Sequence, residues 1–220
     1  MINIRREGVI IEITDLSFEN DGVMNPAVIA EGQTVHLFYR AVRKGNHSTI
    51  GYCRLDGPLK VVQRDEVPFM VPEFEYESQG VEDPRIVKIE DTYYMTYTAY
   101  NGINASGALA VSSDLKHFTK QGIITSQFTY AQFKELICSE VKYTSKYFRT
   151  YNKRAPQTES GQPVYLTDKN LVFFPRKING KLCFMHRIKP DIQFVSINSL
   201  DELTPDFWID YFMDFTHHIM

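Results

Sequence analysis

Two carboxylates and a guanidinium stand within four residues in Gln79-Gly80-Val81-Glu82-Asp83-Pro84-Arg85. A carboxyl group held beside fixed cations can pass a proton to or from a bound hydroxyl, the work of a general acid or base. The cluster runs into Ile86-Val87-Lys88-Ile89, which reads as the start of a buried strand. Side chains alternate along a strand, so Glu82 and Asp83 are expected on opposite faces. One would face a pocket while the other pairs with Arg85 or caps a turn, and a purely structural salt-bridged turn is the competing reading. Other polar residues close apolar runs: Arg40 after Leu37-Phe38-Tyr39, Tyr100-Asn101 after a Tyr- and Thr-rich run, and His186-Arg187 after Leu182-Cys183-Phe184-Met185. Such endings either reach solvent or line one pocket. Asp168 and Lys169 precede the last of these runs and read as ordinary surface charge. P-loop, dinucleotide, HExxH and GxSxG patterns are absent.

The elements that must position these residues repeat. Residues 25–42, 83–100 and 174–188 each carry a proline, a short apolar run, a turn and an aromatic or alternating run. Turn signals fall at Glu31-Gly32, Glu90-Asp91 and Asn179-Gly180, the last suited to a type I′ hairpin. In this alignment Asp83 matches Asn25 before Pro26 and Phe174 before Pro175. Antiparallel units recurring at tens of residues predict an all-β chain built of propeller blades. Three units and part of another fill the 220 residues, while closed propellers have at least four blades. The expected fold is therefore one incomplete propeller domain over residues 1–220, without a closing strand signal at the end of the chain. Residues 125–169 read as an irregular, solvated insertion. Their basic residues Lys134, Lys142, Lys146, Arg149, Lys153 and Arg154 form a candidate flap over an anionic substrate or a partner subunit.

Composition narrows the function classes. A net charge of −3, from 24 Lys plus Arg against 27 Asp plus Glu, disfavours a nucleic-acid binder. No run approaches the roughly 20 apolar residues of a membrane helix, so neither nucleic acid nor membrane is expected as a partner. The cysteines, Cys53, Cys138 and Cys183, are odd in number and widely spaced, which disfavours a zinc site or disulfide framework and fits a cytoplasmic location. The many rings, 13 Tyr and 15 Phe against one Trp, fill a β core or line a sugar-binding surface.

Taken together, Asn25-Pro26-Ala27, Tyr39-Arg40-Ala41, the Gly80–Arg85 cluster, Tyr97-Thr98-Ala99-Tyr100, Lys169-Asn170, Phe174-Pro175-Arg176-Lys177, His186-Arg187 and Pro190-Asp191 resemble, in this order, glycoside hydrolase family 130. These are β-mannoside phosphorylases and related hydrolases on a five-bladed β-propeller. The resemblance implies inverting cleavage of β-mannosides, foremost phosphorolysis of β-1,4-mannosides to α-mannose 1-phosphate. It makes Asp83 the catalytic acid and Asn25, Arg40, Glu82, Arg85, Tyr100, Asn101 and Asp191 substrate-side residues. Lys169, His186 and Arg187 would reach phosphate, a co-substrate, with no other cofactor and no metal. A mannoside or oligosaccharide is the implied partner, with association of copies open. Phosphorylases of the family carry an arginine soon after the strand matching residues 94–100, whereas residues 101–108 contain no basic residue. That departure keeps a phosphate-independent inverting hydrolase, or a non-catalytic sugar-binding fragment, as alternatives.

Overall fold

The computed structural model describes residues 4–137, 161 and 163–220. Among these residues, eleven strands form three antiparallel units in chain order. The first contains β1 (Gly22–Glu31), β2 (Thr34–Arg43), β3 (His47–Asp56) and β4 (Lys60–Arg64). The second contains β5 (Gly80–Ile89), β6 (Thr92–Tyr100), β7 (Ala105–Ser112) and β8 (Thr119–Ile123), and the third β9 (Asp168–Phe173), β10 (Leu182–Ile188) and β11 (Gln193–Ile197). Single parallel pairings, Ser48↔Gly80 and Ser106↔Asp168, join each unit to the next. The result is one mostly-strand, open sheet, in which β1 and β11 are not paired with each other among the described residues.

Both faces of the middle strands are buried, which explains their unbroken apolar runs. In β2, Leu37, Tyr39 and Ala41 face a cluster with Phe18, Cys53 and Leu55 under the N-terminal segment. Phe38, between them, faces the second unit with Ile50, Met70, Val81 and Met95. The hairpins follow the turn chemistry. Asn179 and Gly180 both have positive φ (51° and 78°) between the paired Ile178 and Lys181, as a type I′ turn requires.

The fold departs from expectation in three places. Residues 125–169 are not all solvated loop. Thr129 and Gln132 form a reciprocal capping box, starting helix α1 (Tyr130–Leu136). Its Phe133 is fully buried, with its ring centroid 5.0 Å from that of Phe212 and 5.2 Å from that of Phe215. Second, a helix α2 (Pro205–Met213) follows the third unit, with Thr204 as N-cap and Pro205 in its first turn. Trp208, Tyr211 and Phe212 on α2 are buried against the third unit. Third, the inner strand of the third unit begins at Asp168, so Phe174-Pro175 lies past its end rather than in register with Asp83-Pro84. Cys138, Lys142, Lys146, Arg149, Lys153 and Arg154 lie outside the described residues. No helix of the described residues is long and apolar enough to cross a membrane.

Candidate active site

Each inner strand breaks its ladder at one place. β1 pairs Met24 with Arg40 and resumes at Ala27↔Phe38. β5 pairs Glu82 with Thr98 and resumes at Arg85↔Thr96. β9 pairs Lys169 with Arg187 and resumes at Val172↔Met185. Two residues therefore oppose one at each break, a β-bulge. The first bulged residues are Asn25, Asp83 and Asn170, all with positive φ (49°, 52° and 63°). Asn and Asp tolerate this region better than other side-chain-bearing residues. Proline follows two of the three, where its missing N–H costs no ladder bond.

The bulge overturns the expectation that Glu82 and Asp83 face apart. Both carboxylates meet Arg40: Nη2 lies 2.8 Å from Glu82 Oε1, and Nη1 lies 3.5 Å from Asp83 Oδ1. Arg40 Nε donates to Ser48 Oγ at 2.9 Å, and Asn25 Nδ2 donates to Asp83 Oδ1 at 2.7 Å. Asn25, Arg40, Glu82 and Asp83, drawn from two units, thus form one cluster. Burial pushes the Glu82 carboxyl above the ordinary glutamate range, while Arg40 and then Lys169 pull it back. Arg85 makes no carboxylate pair among the described residues. Its Nη1 donates to the carbonyls of Pro84 (2.7 Å) and Asp83 (3.1 Å), clamping the bulge backbone.

On the third unit, Lys169 and Arg187 are cross-strand neighbours. Arg187 Nε and Asn170 Oδ1 are buried without a hydrogen-bond partner among the described residues. His186 does not join them. Its side chain is fully buried on the opposite face, with Nδ1 2.8 Å from Asp168 Oδ2 and Nε2 2.8 Å from Tyr211 Oη. The expectation that it reaches a phosphate is therefore withdrawn: His186 opposes the bulge, so strand alternation turns it away from Arg187.

Tyr100 closes β6, and Asn101 and Asp191 sit in turns, at the same end of the sheet as the bulges. The Tyr100 hydroxyl donates to the Gly102 carbonyl at 2.8 Å. Asn101 Oδ1 accepts from the N–H groups of Ile103 (3.0 Å) and Asn104 (2.7 Å). Both side chains shape the β6–β7 turn. Asp191 lies in the turn between β10 and β11. Ser48 went unnoticed in the sequence, and Asn170, quoted there only for the family resemblance, was given no site role, although an Asn early in an inner strand is the signal it shares with Asn25. Among the described residues no cluster of His, Cys, Asp or Glu could hold a metal ion.

Residues 5–155 match the model of glycoside hydrolase family 130, described as β-1,4-mannooligosaccharide phosphorylase. A 1,2-β-oligomannan phosphorylase of Thermoanaerobacter sp. (strain X514) is 28% identical over 205 residues, 87% of this chain and 56% of its own length. The β-1,2-mannobiose phosphorylase from Listeria innocua, solved with β-1,2-mannobiose, shares the fold at a TM-score of 0.56 and 20% identity, over 81% of this chain and 56% of that one. A further structure, from work on GH130 hydrolases that target β-1,2 mannosidic linkages in Candida mannan, gives a TM-score of 0.66 at 21% identity, over 89% of this chain and 55% of that one. The chain spans about half the length of the curated phosphorylases it matches over most of its own. With the family model matched over more than half its residues, the chain belongs to glycoside hydrolase family 130.

Proposed function

We propose that the whole protein is a β-mannoside phosphorylase on a five-bladed propeller, of which the three units here are blades, and that it acts in the cytoplasm. One observation carries the reading. Asp83 is held at a bulge by Asn25 and Arg40, and the next unit brings Lys169 and Arg187 opposite each other on β9 and β10, with Arg187 Nε buried and without a hydrogen-bond partner among the described residues. Asp83, as acid, gives its proton, relayed by a sugar hydroxyl, to the glycosidic oxygen as the anomeric C–O bond breaks. A phosphate oxygen, held by Lys169 and Arg187, forms the new bond from the opposite face, leaving α-mannose 1-phosphate and an ionised Asp83. Guanidinium and ammonium groups suit that anion. The family description names β-1,4 linkages and the curated relatives β-1,2, so both disaccharides belong in the assay.

A second reading, inverting hydrolysis, is favoured by residues 101–108, which lack a basic side chain. Incubation of β-1,2- and β-1,4-mannobiose with and without inorganic phosphate separates the two. Phosphorolysis gives phosphate-dependent mannose 1-phosphate. Equal rates in both conditions, with free mannose alone, would establish hydrolysis. Asp83→Asn should lower turnover by about 10²–10⁴-fold with an unchanged melting temperature. A normally folded variant within about threefold of the parent rate removes Asp83 from the mechanism.

A further inference from the structure

We infer that Glu82 is a positioning residue that takes up the charge of Arg40, so that Asp83, one residue on, can hold a proton beside a guanidinium. The inference rests on Asp83 being the acid of the proposed reaction. It addresses a conflict visible in the geometry. Asp83 Oδ1 accepts from Asn25 Nδ2 at 2.7 Å and faces Arg40 Nη1 at 3.5 Å. Both contacts come from donors and suit a carboxylate acceptor, whereas a general acid must carry a proton.

Glu82 resolves the conflict by position. Its Oε1 is 2.8 Å from Arg40 Nη2, the length of a charge-assisted bond, whereas the Asp83 contact is at the outer limit of one. Ser48 takes Nε at 2.9 Å, and Asn46 Oδ1 lies 3.5 Å from Nη2. The guanidinium is thereby fixed along the edge that serves Glu82. The Arg40 and Glu82 side chains are only 14% and 7% exposed, so water and salt screen the pair weakly. Glu82 Oε1 is taken by Arg40 and lies 3.5 Å from Ser48 Oγ.

The charged groups around Asp83 and Glu82 come from several elements. Arg40 is on β2, Lys169 on β9 with Arg187 across from it on β10, and Arg85 on β5 is committed to backbone carbonyls. The polar partners are Asn25 on β1 and Ser48 on β3. The position of Glu82 holds Met24 in the first unit and Lys169 in the third, so the second unit alone carries the carboxylate pair.

The test reads the proton on Asp83 directly. In the full chain with carboxyl-¹³C aspartate, the Asp83 resonance is identified by its loss in Asp83→Asn and followed against pH. Glu82→Gln keeps size and one acceptor but removes the charge. The Asp83 titration midpoint should then fall by roughly one pH unit. In an Arg40→Gln background the same substitution should move it far less. An unchanged or higher midpoint overturns the inference, and so does an equal fall in both backgrounds, which would mean simple repulsion between the carboxylates. Should Glu82→Gln fail to fold, Glu82→Asp retracts the charge by one methylene and should lower the midpoint by a smaller amount; no fall overturns the inference. Turnover is read separately. A shifted midpoint with full activity in Asp83→Asn would sink the proposed function and leave the charge balance standing, and an unshifted midpoint with an inactive Asp83→Asn would do the reverse.

Discussion

Glu77→Gln should be among the most destabilising conservative substitutions in the chain. The Glu77 carboxylate is fully buried. It accepts from Lys120 Nζ at 2.6 Å, from the Tyr97 hydroxyl at 2.6 Å and from the Glu73 N–H at 2.9 Å. Lys120 is itself only 4% exposed, and its remaining partners are the Val71 carbonyl at 2.7 Å and Glu73 at 3.3 Å, the latter more than half exposed. Glutamine leaves the buried ammonium with a backbone carbonyl and, as its one opposite charge among the described residues, a solvent-screened acid. Breaking a buried pair by neutralising one partner costs about 3–5 kcal/mol. The residual Glu73 contact places this case near the lower end, about 3 kcal/mol, a large share of a total stability of roughly 5–15 kcal/mol. Lys120→Met in the same chain removes the stranded charge, so the double variant should recover to within about 1–2 kcal/mol of the parent. Urea unfolding of the four proteins measures this as midpoint shifts at constant slope. A single variant within about 1 kcal/mol of the parent, or a double variant whose losses simply add, would refute the reasoning.

Two further outcomes follow from the packing. The Glu82 carboxyl sits above its ordinary value of 4.5 because of burial, so the folded state holds that proton more tightly than the unfolded one. Its contribution to stability is complete below the unfolded value and is lost as pH rises through the folded value. Melting temperatures from acid to neutral pH should therefore fall less in Glu82→Gln than in the parent, and a gap independent of pH would contradict this. Gly51→Ala would place a Cβ 2.3 Å from Cζ of Tyr39, a buried ring whose hydroxyl donates to Glu19 at 2.7 Å. Thermal unfolding should show a loss of about 1–3 kcal/mol, and an unchanged midpoint would mean the ring moves freely.

Much of the fold was legible because local chemistry and tertiary structure agree. Asn179-Gly180 specifies its hairpin whatever packs around it, and the run Leu37-Phe38-Tyr39 is apolar throughout because both faces of β2 are covered. The helices were missed although their caps are written out, as Thr129 with Gln132 and as Thr204 with Pro205. The first lies in the stretch read as an irregular insertion, and the second in residues to which no element was assigned; both are held by aromatic packing that local pattern does not show. The site was half legible. Asn25, Arg40 and Asp83 are brought together, but the alternation rule failed for Glu82 and Asp83 because a bulged residue with positive φ lies between regular ladder segments. Aligning the third repeat on Pro175 hid Asn170, since the bulge there is followed by Leu171 rather than proline.

A second pattern links the bulges to the buried charges. Glu19-x-x-Gly22-Val23-x-Asn25-Pro26 recurs as Glu77-x-x-Gly80-Val81-x-Asp83-Pro84. In each copy the glutamate receives the hydroxyl of the tyrosine that opposes the bulge, Tyr39 or Tyr97, and a cation from the outermost strand, Arg64 on β4 or Lys120 on β8. Eight residues thus tie the inner edge of a unit to its outer edge and aim the bulged side chain. The tie is made through the residue directly across the strand pair. The third unit keeps this logic with different parts. Asp168 holds His186, which opposes the Asn170 bulge, and the far side of the imidazole meets Tyr211 on α2. Tyr211 also donates to the Phe194 carbonyl on β11. Helix α2 therefore does for the third unit what β4 and β8 do for the first two. The same connection explains why His186, though adjacent in sequence to Arg187, is committed to holding the unit together while Arg187 stays with the site.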